Sequence, residues 1–199
     1  MKKNILSSIL LFFVAGITSL FAYVTPESGK VYRIHNVKTN KVIGEDCIAR
    51  QLASVDAAGN EDFKQLWLLR ESSNGYTIQN AYSGQYLHPC AQQSTQIYPT
   101  SAEEAVMYLT QVSGTQYAIG QTTGAYLHLD NSNNIVRWWD KDNTSSQWQF
   151  EEVKVSEEAI SLQQAAFQEF YAGYQAKLEL IEHIDEYNAL LPAFFTDLT

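Results

Sequence analysis

Basic residues are scarce in this 199-residue chain. Lysine and arginine together number 13 against 22 aspartates and glutamates, so the formal net charge at pH 7 is −9. A protein that binds nucleic acid or an anionic membrane surface needs clustered positive charge to neutralise phosphate groups. The charge balance therefore argues against nucleic acid and against membrane surfaces as partners.

Catalytic and metal-binding motifs are also missing. The chain contains no Gly-x-Ser-x-Gly, no His-Glu-x-x-His and no glycine-rich phosphate loop. His88, Cys90 and His128 lack a further ligand at a spacing typical of a zinc site, and backbone-bonded loop histidines are the simpler interpretation. A glycosidase needs only two opposed carboxylates, which a sequence does not exclude, but nothing here points to such a pair. We expect no metal, no cofactor and no catalysis from this chain by itself.

Cysteine is limited to Cys47 and Cys90. In an oxidising compartment the two could form a disulfide, which would close a long loop and contribute about 3–4 kcal/mol. The alternative is a pair of unpaired, buried thiols. Both alternatives make the cysteines structural.

Residues 1–22 have the pattern of a secretory signal peptide. Lys2 and Lys3 precede an apolar run from Ile5 to about Leu20, and Ala22 is a plausible cleavage point. A membrane anchor is the alternative, but the run is short for a membrane span. Cleavage would remove two lysines and no acids, leaving 11 basic and 22 acidic residues and a charge of −11. The chain is therefore predicted to be secreted, periplasmic or displayed on the cell surface.

A short pattern occurs twice in the middle of the chain. Residues 82–88 read YSGQYLH and residues 122–128 read TTGAYLH. Upstream of each lies an alternating stretch, at 76–80 and 117–121, and a similar stretch occurs earlier at 32–36. Alternation with period two and many β-branched or aromatic residues predicts strands.

The pattern is interpreted as one unit used three times, at about residues 30–71, 74–112 and 115–153. Each unit has a tight-turn position filled by a residue type that tolerates positive φ. These positions hold Asn40, Gly84 and Gly124. Each unit also closes on an aromatic residue, namely Trp67, Tyr108 and Trp148.

Three units of about four short strands each predict an all-β fold, a β-trefoil spanning residues 23–153. A propeller is disfavoured because it needs at least about four blades. We expect the closing aromatic residues to fill the core together with three inward isoleucines, Ile34, Ile78 and Ile119.

These residues resemble a known family. Gly-x-Tyr-Leu followed by a turn-rich stretch and a closing Gln-x-Trp is similar to the ricin B-type lectin trefoil, and Gln65-Leu66-Trp67 matches the closing motif in full. The other two copies, 106–108 and 146–148, are degenerate. The resemblance covers about residues 29–153 and implies a carbohydrate-binding domain.

The resemblance also implies where a sugar would bind. The family's binding Asp positions correspond to Gly44, His88 and His128, and its Asn positions before the closing motif correspond to Lys64, Ala105 and Ser145. No unit keeps the polar pair. The third unit is the best candidate, because its Trp139 matches the family's stacking position. The glycan-binding residues predicted on this basis are Trp139, His128, Asp130, Asp140, Asn143 and Trp138.

The alternative for the two tryptophans is structural. Trp138 and Trp139 are adjacent and belong to opposite faces of a strand, so one could pack into the core while the other lies flat on the surface. The second unit, with His88 and Tyr98, is a weaker candidate site. The first unit is interpreted as structural.

Residues 155–199 have a helical pattern. Ser156 is a natural N-cap, followed by two glutamates in the first turn, where the helix dipole favours negative charge. Apolar residues then recur at three- and four-residue steps from Ile160 to Leu191, before Pro192. Gly173 could kink the helix or divide it. The apolar stripe needs a cover: the strand domain, a second copy, or helices of a missing downstream region.

The whole arrangement is similar to the N-terminal region of large secreted bacterial proteins such as enhancin-type mucin-degrading zinc metallopeptidases. That resemblance implies an accessory module and transfers no catalytic residue. The leading hypothesis is a secreted lectin-like module that binds a glycan mainly through its third unit. The alternatives are an interaction or docking module of a larger secreted enzyme and, less supported, a trefoil protease inhibitor, for which the loop from Ala53 to Lys64 lacks an obvious bait.

Overall fold

The computed structural model describes residues 22–88, 100–121 and 124–183. Within these ranges the chain forms thirteen strands, two short 3₁₀ helices and one α-helix. The strands are β1 (Tyr23–Val24), β2 (Val31–Asn36), β3 (Val42–Asp46), β4 (Gln51–Val55), β5 (Trp67–Ser72), β6 (Gly75–Asn80), β7 (Tyr86–Leu87), β8 (Thr100–Ser101), β9 (Tyr108–Ser113), β10 (Gln116–Gly120), β11 (Tyr126–Leu129), β12 (Ile135–Trp138) and β13 (Gln147–Glu152). The 3₁₀ helices are Phe63–Gln65 and Thr144–Ser146, and the α-helix, α1, is Glu157–Glu182.

Strands β1 to β13, here called the strand domain, form one antiparallel sheet. Its main path is β12–β11–β10–β13–β2–β5–β6–β7–β8; β1 pairs with β13, β3 pairs with β2 and β4, and β9 pairs with β10. The pairing of β2 with β13 joins the two ends of the strand domain, with Asn36 opposite Trp148 and Tyr32 opposite Glu152. Loops from the start and the end of the domain therefore lie side by side.

Most of the residues that the sequence predicts for the core of the strand domain are buried there. The three predicted isoleucines are fully buried, which confirms that part of the prediction: Ile34, Ile78 and Ile119. Trp67 and Trp148 are buried too. Their indole N–H groups donate to the backbone carbonyls of Ile43 at 2.8 Å and Leu127 at 3.0 Å. These bonds satisfy the polar atom that a buried indole brings into the core.

The prediction that Tyr108 lies in the core is wrong. Tyr108 is 42% exposed, while Met107 is fully buried in the core cluster. Successive residues of an extended chain point to opposite sides, and Leu109 packs against the core. Met107 therefore shares the inward side with Leu109. Two backbone hydrogen bonds to Tyr76, at 2.8 and 2.9 Å, hold Met107 in this register.

The predicted turn positions have the backbone conformation that their residue types suggest. Asn40, Gly84 and Gly124 have φ angles of 59°, 75° and 76°. The Asn40 N–H donates to the Asn36 carbonyl at 2.8 Å, and the Gly84 N–H donates to the Asn80 carbonyl at 3.0 Å. The first two turns therefore close in the same way. The turn chemistry is confirmed, while the count of three repeated units stays a prediction.

Helix α1 begins where the sequence predicts. Ser156 is the N-cap and its hydroxyl accepts from the Ala159 N–H at 3.1 Å, with Glu157 and Glu158 in the first turn. The helix continues through Gly173 without a break, so this glycine does not divide it. The predicted stop at Pro192 lies outside the described residues.

The first half of α1 packs against the strand domain. Ile160 and Phe167 are buried, and the Phe167 ring lies 5.1 Å from the ring of Tyr82. The side-chain amides of Gln164 and Gln168 donate to the carbonyls of Asn80 at 3.1 Å and Ser83 at 2.9 Å. The strand domain thus covers the beginning of the apolar stripe.

Gly173 gives a test of helix continuity. It lies in α1, and no heavy atom lies within 4 Å of the position that an added Cβ would take. Because glycine in a helix interior costs about 0.8–1 kcal/mol relative to alanine, we expect Gly173→Ala to stabilise α1 by up to about 1 kcal/mol. Far-UV circular dichroism during thermal unfolding measures the change. The neighbouring Ala172→Gly is the matched control and should shift the midpoint the other way; a lower midpoint for Gly173→Ala would contradict the expectation.

The predicted signal peptide and the possible disulfide between Cys47 and Cys90 fall partly or almost wholly outside the described residues. Cys47 is a buried free thiol, and burial raises its pKa to about 12, but Cys90 is not among the described residues. The signal-peptide residues up to Phe21 are not described either. In the described part of the chain, no helix is long and apolar enough to cross a membrane.

Candidate functional site

The outer face of the β11–β12 hairpin includes His128, Val136 and Trp138. In its register Tyr126 pairs with Trp138 and His128 with Val136. The intervening residues point inward, and Leu127, Leu129 and Ile135 belong to the core cluster. Strand alternation therefore puts His128, Val136 and Trp138 on the outer side.

A pocket of about 290 Å³ lies against this outer face. Its volume is at the lower end of the roughly 300–1,000 Å³ found for small-molecule sites. Eight residues line it: Lys38, His128, Asp130, Asn131, Val136, Trp138, Asn143 and Ser145. The lining combines one indole with side chains that donate and accept hydrogen bonds.

An aromatic ladder forms the apolar wall of the pocket. The His128 and Trp138 rings are stacked, with centroids 5.2 Å apart and an interplanar angle of 26°. Trp139 follows beside Trp138, with ring centroids 6.1 Å apart and an interplanar angle of 32°. Trp139 is 59% exposed and does not line the pocket. The ladder thus extends the wall outward onto the open surface.

His128 is held as a neutral imidazole. Its Nδ1 lies 2.8 Å from the hydroxyl oxygen of the buried Ser146. Burial, followed by the positive charge of Lys38, holds the pKa of His128 below its ordinary value of 6.5, although Asp130 and Asp140 act in the opposite direction. At neutral pH the ring therefore contributes a hydrogen-bonding edge and a flat face without a positive charge.

The lowered pKa of His128 predicts a loss of stability on acidification. The unfolded chain takes up the proton near the ordinary pKa of 6.5, whereas the folded chain does so only at lower pH. The stability contribution of neutral His128 is therefore complete above the ordinary pKa and falls as the pH drops towards the lowered one. Denaturant unfolding between about pH 7.5 and 5 measures this loss. His128→Gln should make the free energy of unfolding depend less on pH in this range. The same pH dependence in both proteins would contradict the prediction.

Polar side chains around the pocket also hold its loops. Asp130 Oδ1 accepts from the backbone N–H groups of Ser132 and Asn134, each at 2.8 Å. Asp130 Oδ2 accepts from the side-chain amide nitrogen of Asn134 at 3.3 Å. Asn143 Oδ1 accepts from the Ser145 N–H at 2.9 Å at the start of the second 3₁₀ helix. Much of the acceptor capacity of these side chains is therefore used within the loops.

The structure brings four of the six predicted site residues into one pocket: His128, Asp130, Asn143 and Trp138. Trp139 lies beside it on the surface. Asp140 is not part of the lining, and its carboxylate accepts from the Asp142 N–H at 2.9 Å.

Sequence reasoning missed Lys38, Asn131 and Val136 as pocket residues. Lys38 belongs to the loop after β2, at the other end of the strand domain. It reaches the pocket because the Val37 N–H donates to the Gln147 carbonyl at 2.9 Å. No local signal identifies such a residue. Ser145, which stands where the family has asparagine, does line the pocket.

The first unit, interpreted as structural, also borders a cavity. Its volume is about 400 Å³, and α1 supplies part of its wall through Phe167 and Phe170. Lys64, which also lines it, lies 5.2 Å from the centre of the Tyr82 ring. In the second unit, Tyr98 is outside the described residues, so its predicted weaker site is not defined. Within the described ranges no group of three or more His, Cys, Asp or Glu side chains could hold a metal ion.

Comparison with known proteins identifies the fold. A family model described as "Ricin-type beta-trefoil lectin domain-like" matches residues 20–98. Among curated proteins, no sequence matches the chain. A ricin B-like lectin from Macrolepiota procera, solved in complex with lactose, aligns with a TM-score of 0.58 and 18% identity, over 65% of this chain and 100% of that one. The fold is β-trefoil-like.

Two further structures show the trefoil-like fold within longer chains. The Polyporus squamosus lectin bound to the epitope Neu5Acα2-6Galβ1-4GlcNAc aligns with a TM-score of 0.56 and 19% identity, over 64% of this chain and 50% of that one. The GlcNAcα1-4Gal-releasing endo-β-galactosidase from Clostridium perfringens aligns with a TM-score of 0.56 and 17% identity, over 65% of this chain and 34% of that one. The predicted fold class is thereby confirmed as a mostly β, trefoil-like domain, and α1 follows it.

Proposed function

We propose that this protein is a carbohydrate-binding module and that the pocket of the β11–β12 hairpin holds the glycan. The observation that carries the proposal is the pocket itself, in which the His128–Trp138 stack faces amide, ammonium and carboxylate groups. Sugars offer an apolar C–H side for an aromatic ring and hydroxyl groups for polar side chains. The sugars named with the similar lectin structures support the same class of ligand.

The geometry supports a two-part contact. A terminal sugar residue fits the volume against Trp138, where Asn143, Asp130 and His128 can reach its hydroxyl groups. The next residue of an oligosaccharide then lies along the exposed indole of Trp139, outside the pocket. In this arrangement every predicted site residue except Asp140 contacts the oligosaccharide. Asp140 holds the turn that follows Trp139.

Secretion and the absence of catalysis belong to the same proposal. The signal-peptide pattern at residues 1–22 supports an exported protein, in the medium, the periplasm or at the cell surface. The acidic composition makes nucleic acid and membrane surfaces poor partners. The protein acts by binding, without a cofactor, and any catalytic activity would come from another domain.

A glycan array tests the function. The full chain is applied to host mucin, plant and microbial glycans, and the expected result is retention on one structural class of glycan. Free oligosaccharide of that class should compete for binding. Absence of binding across all classes would overturn the carbohydrate-binding proposal.

A docking module of a larger secreted enzyme is the second candidate. The second half of α1 supports it, because several large apolar side chains there are exposed: Phe170, Leu180 and Ile181. Apolar surface of this kind on a helix is typical of a face that packs against another element. An enhancin-type metallopeptidase would provide such a partner. Absence of binding on the glycan array, combined with association of the protein at higher concentration, would favour this candidate.

A further inference from the structure

Asp130 and Asn143 have little acceptor capacity left for a ligand. A carboxylate has about four acceptor positions, and bonds within its own loop already use three of those of Asp130. The side-chain oxygen Oδ1 of Asn143 accepts from the Ser145 N–H. The Lys38 ammonium and the Asn143 amide nitrogen can only donate. Among these three side chains, donors are therefore more available to a ligand than acceptors.

The backbone at Lys38 is fixed beside the pocket. The Lys38 N–H donates to Asn36 Oδ1 at 3.1 Å, and the buried Asn36 amide donates to the carbonyls of Ser145 at 3.0 Å and Gln147 at 3.4 Å. Val37 adds a backbone bond to Gln147. A buried amide thus ties the loop that carries Lys38 to the segment that carries Ser145.

The positive charge of Lys38 acts on the pocket wall. Among the residues that the structure describes, no carboxylate forms an ion pair with its ammonium group. Of the charges that influence the pKa of His128, Lys38 has a larger effect than Asp130 or Asp140. Lys38 therefore brings a positive charge to a pocket whose other charged lining residue is Asp130.

We propose that the sugar residue in this pocket carries an anionic group, a carboxylate or a sulfate ester, which pairs with Lys38. The proposal rests on the carbohydrate-binding function and adds the class of sugar. The anionic oxygens accept hydrogen bonds, and the Lys38 ammonium donates a charge-assisted one. Asn143 can donate a second hydrogen bond to the same group.

Matched pairs of glycans test this proposal on the full chain. Each pair consists of an acidic glycan and its neutral parent: a sialylated or uronic-acid glycan for the carboxylate, and a sulfated glycan for the sulfate ester. We expect about tenfold tighter binding of the acidic member in at least one kind of pair, as a charge-assisted bond predicts. The preferred kind of pair identifies the anionic group.

Lys38→Gln should remove the preference, so that the acidic and the neutral member of each pair bind with equal affinity. Lys41→Gln removes a lysine of the same loop that does not line the pocket, so it should keep the preference. Lys38→Arg should keep it as well. Equal affinity of the wild type for both members of every pair, or a preference that survives Lys38→Gln, would overturn the acidic-sugar proposal while the lectin function stands. Absence of any glycan binding would overturn both.

Discussion

Trp138→Ala should reduce glycan affinity at least about 30-fold, since a tryptophan that is a hot spot of a binding site typically contributes 2 kcal/mol or more. Trp138 is the indole that lines the pocket, and its ring stacks on His128. Its removal takes away the apolar wall and releases the imidazole. Isothermal titration with the preferred oligosaccharide from the array measures the loss.

Two further variants separate binding from folding. Trp138→Phe keeps an aromatic ring on the wall and should recover most of the affinity, while circular dichroism checks that all variants remain folded. Trp139→Ala removes the neighbouring, 59% exposed indole. This variant should reduce glycan affinity less, by about threefold to tenfold, because an exposed contact excludes less water. If Trp139→Ala abolishes binding while Trp138→Ala does not, the sugar stacks on Trp139 and the pocket is not the main contact.

Trp148→Ala should destabilise the protein by about 3–5 kcal/mol, the usual range for deleting a buried tryptophan. Trp148 is 1% exposed, and its indole N–H donates to the Leu127 carbonyl at 3.0 Å. Leu127 immediately precedes His128, so this bond also fixes the strand that carries the pocket wall. Chemical denaturation, monitored by tryptophan fluorescence and circular dichroism, measures the free energy of unfolding.

The chain contains a matched pair for this measurement. Trp67 donates to the Ile43 carbonyl at 2.8 Å and is fully buried, so Trp67→Ala should have a similar cost. Trp139→Ala should stay within about 0.5 kcal/mol of the wild type, as expected for a surface position. Trp148→Phe retains most of the buried area but lacks the hydrogen bond to Leu127, so its smaller loss of stability reports mainly on that bond. A loss below about 1.5 kcal/mol for Trp148→Ala would show that the core tolerates its removal.

Local features were predictable because each depends on a few neighbouring residues. Asn40, Gly84 and Gly124 are residue types that accept positive φ, and all three adopt it. Ser156 followed by two glutamates identified the start of α1. Tyr108 was predicted to be buried because it occupies the closing position of its unit, as Trp67 and Trp148 do in theirs. The facing of a strand residue depends on the register of the whole strand, and that register placed Met107 inside.

The candidate site was predictable only in part. His128, Asp130, Trp138 and Asn143 come from one continuous stretch, so a resemblance in that stretch identified them together. Lys38 comes from the opposite end of the strand domain. Its place beside His128 depends on the β2–β13 pairing and on the bonds from Asn36 to β13 and the segment before it.

The sequence by itself determined the turns, the inward isoleucines, the helix start and the trefoil-like fold class, because periodicity and backbone preference act over short distances. The tertiary structure decided which indole lines the pocket, that Lys38 adds a positive charge to it, and that the strand domain covers only the first half of α1. These outcomes depend on contacts between segments far apart in the chain. Such contacts exist only once strands have paired in register and the core has excluded water.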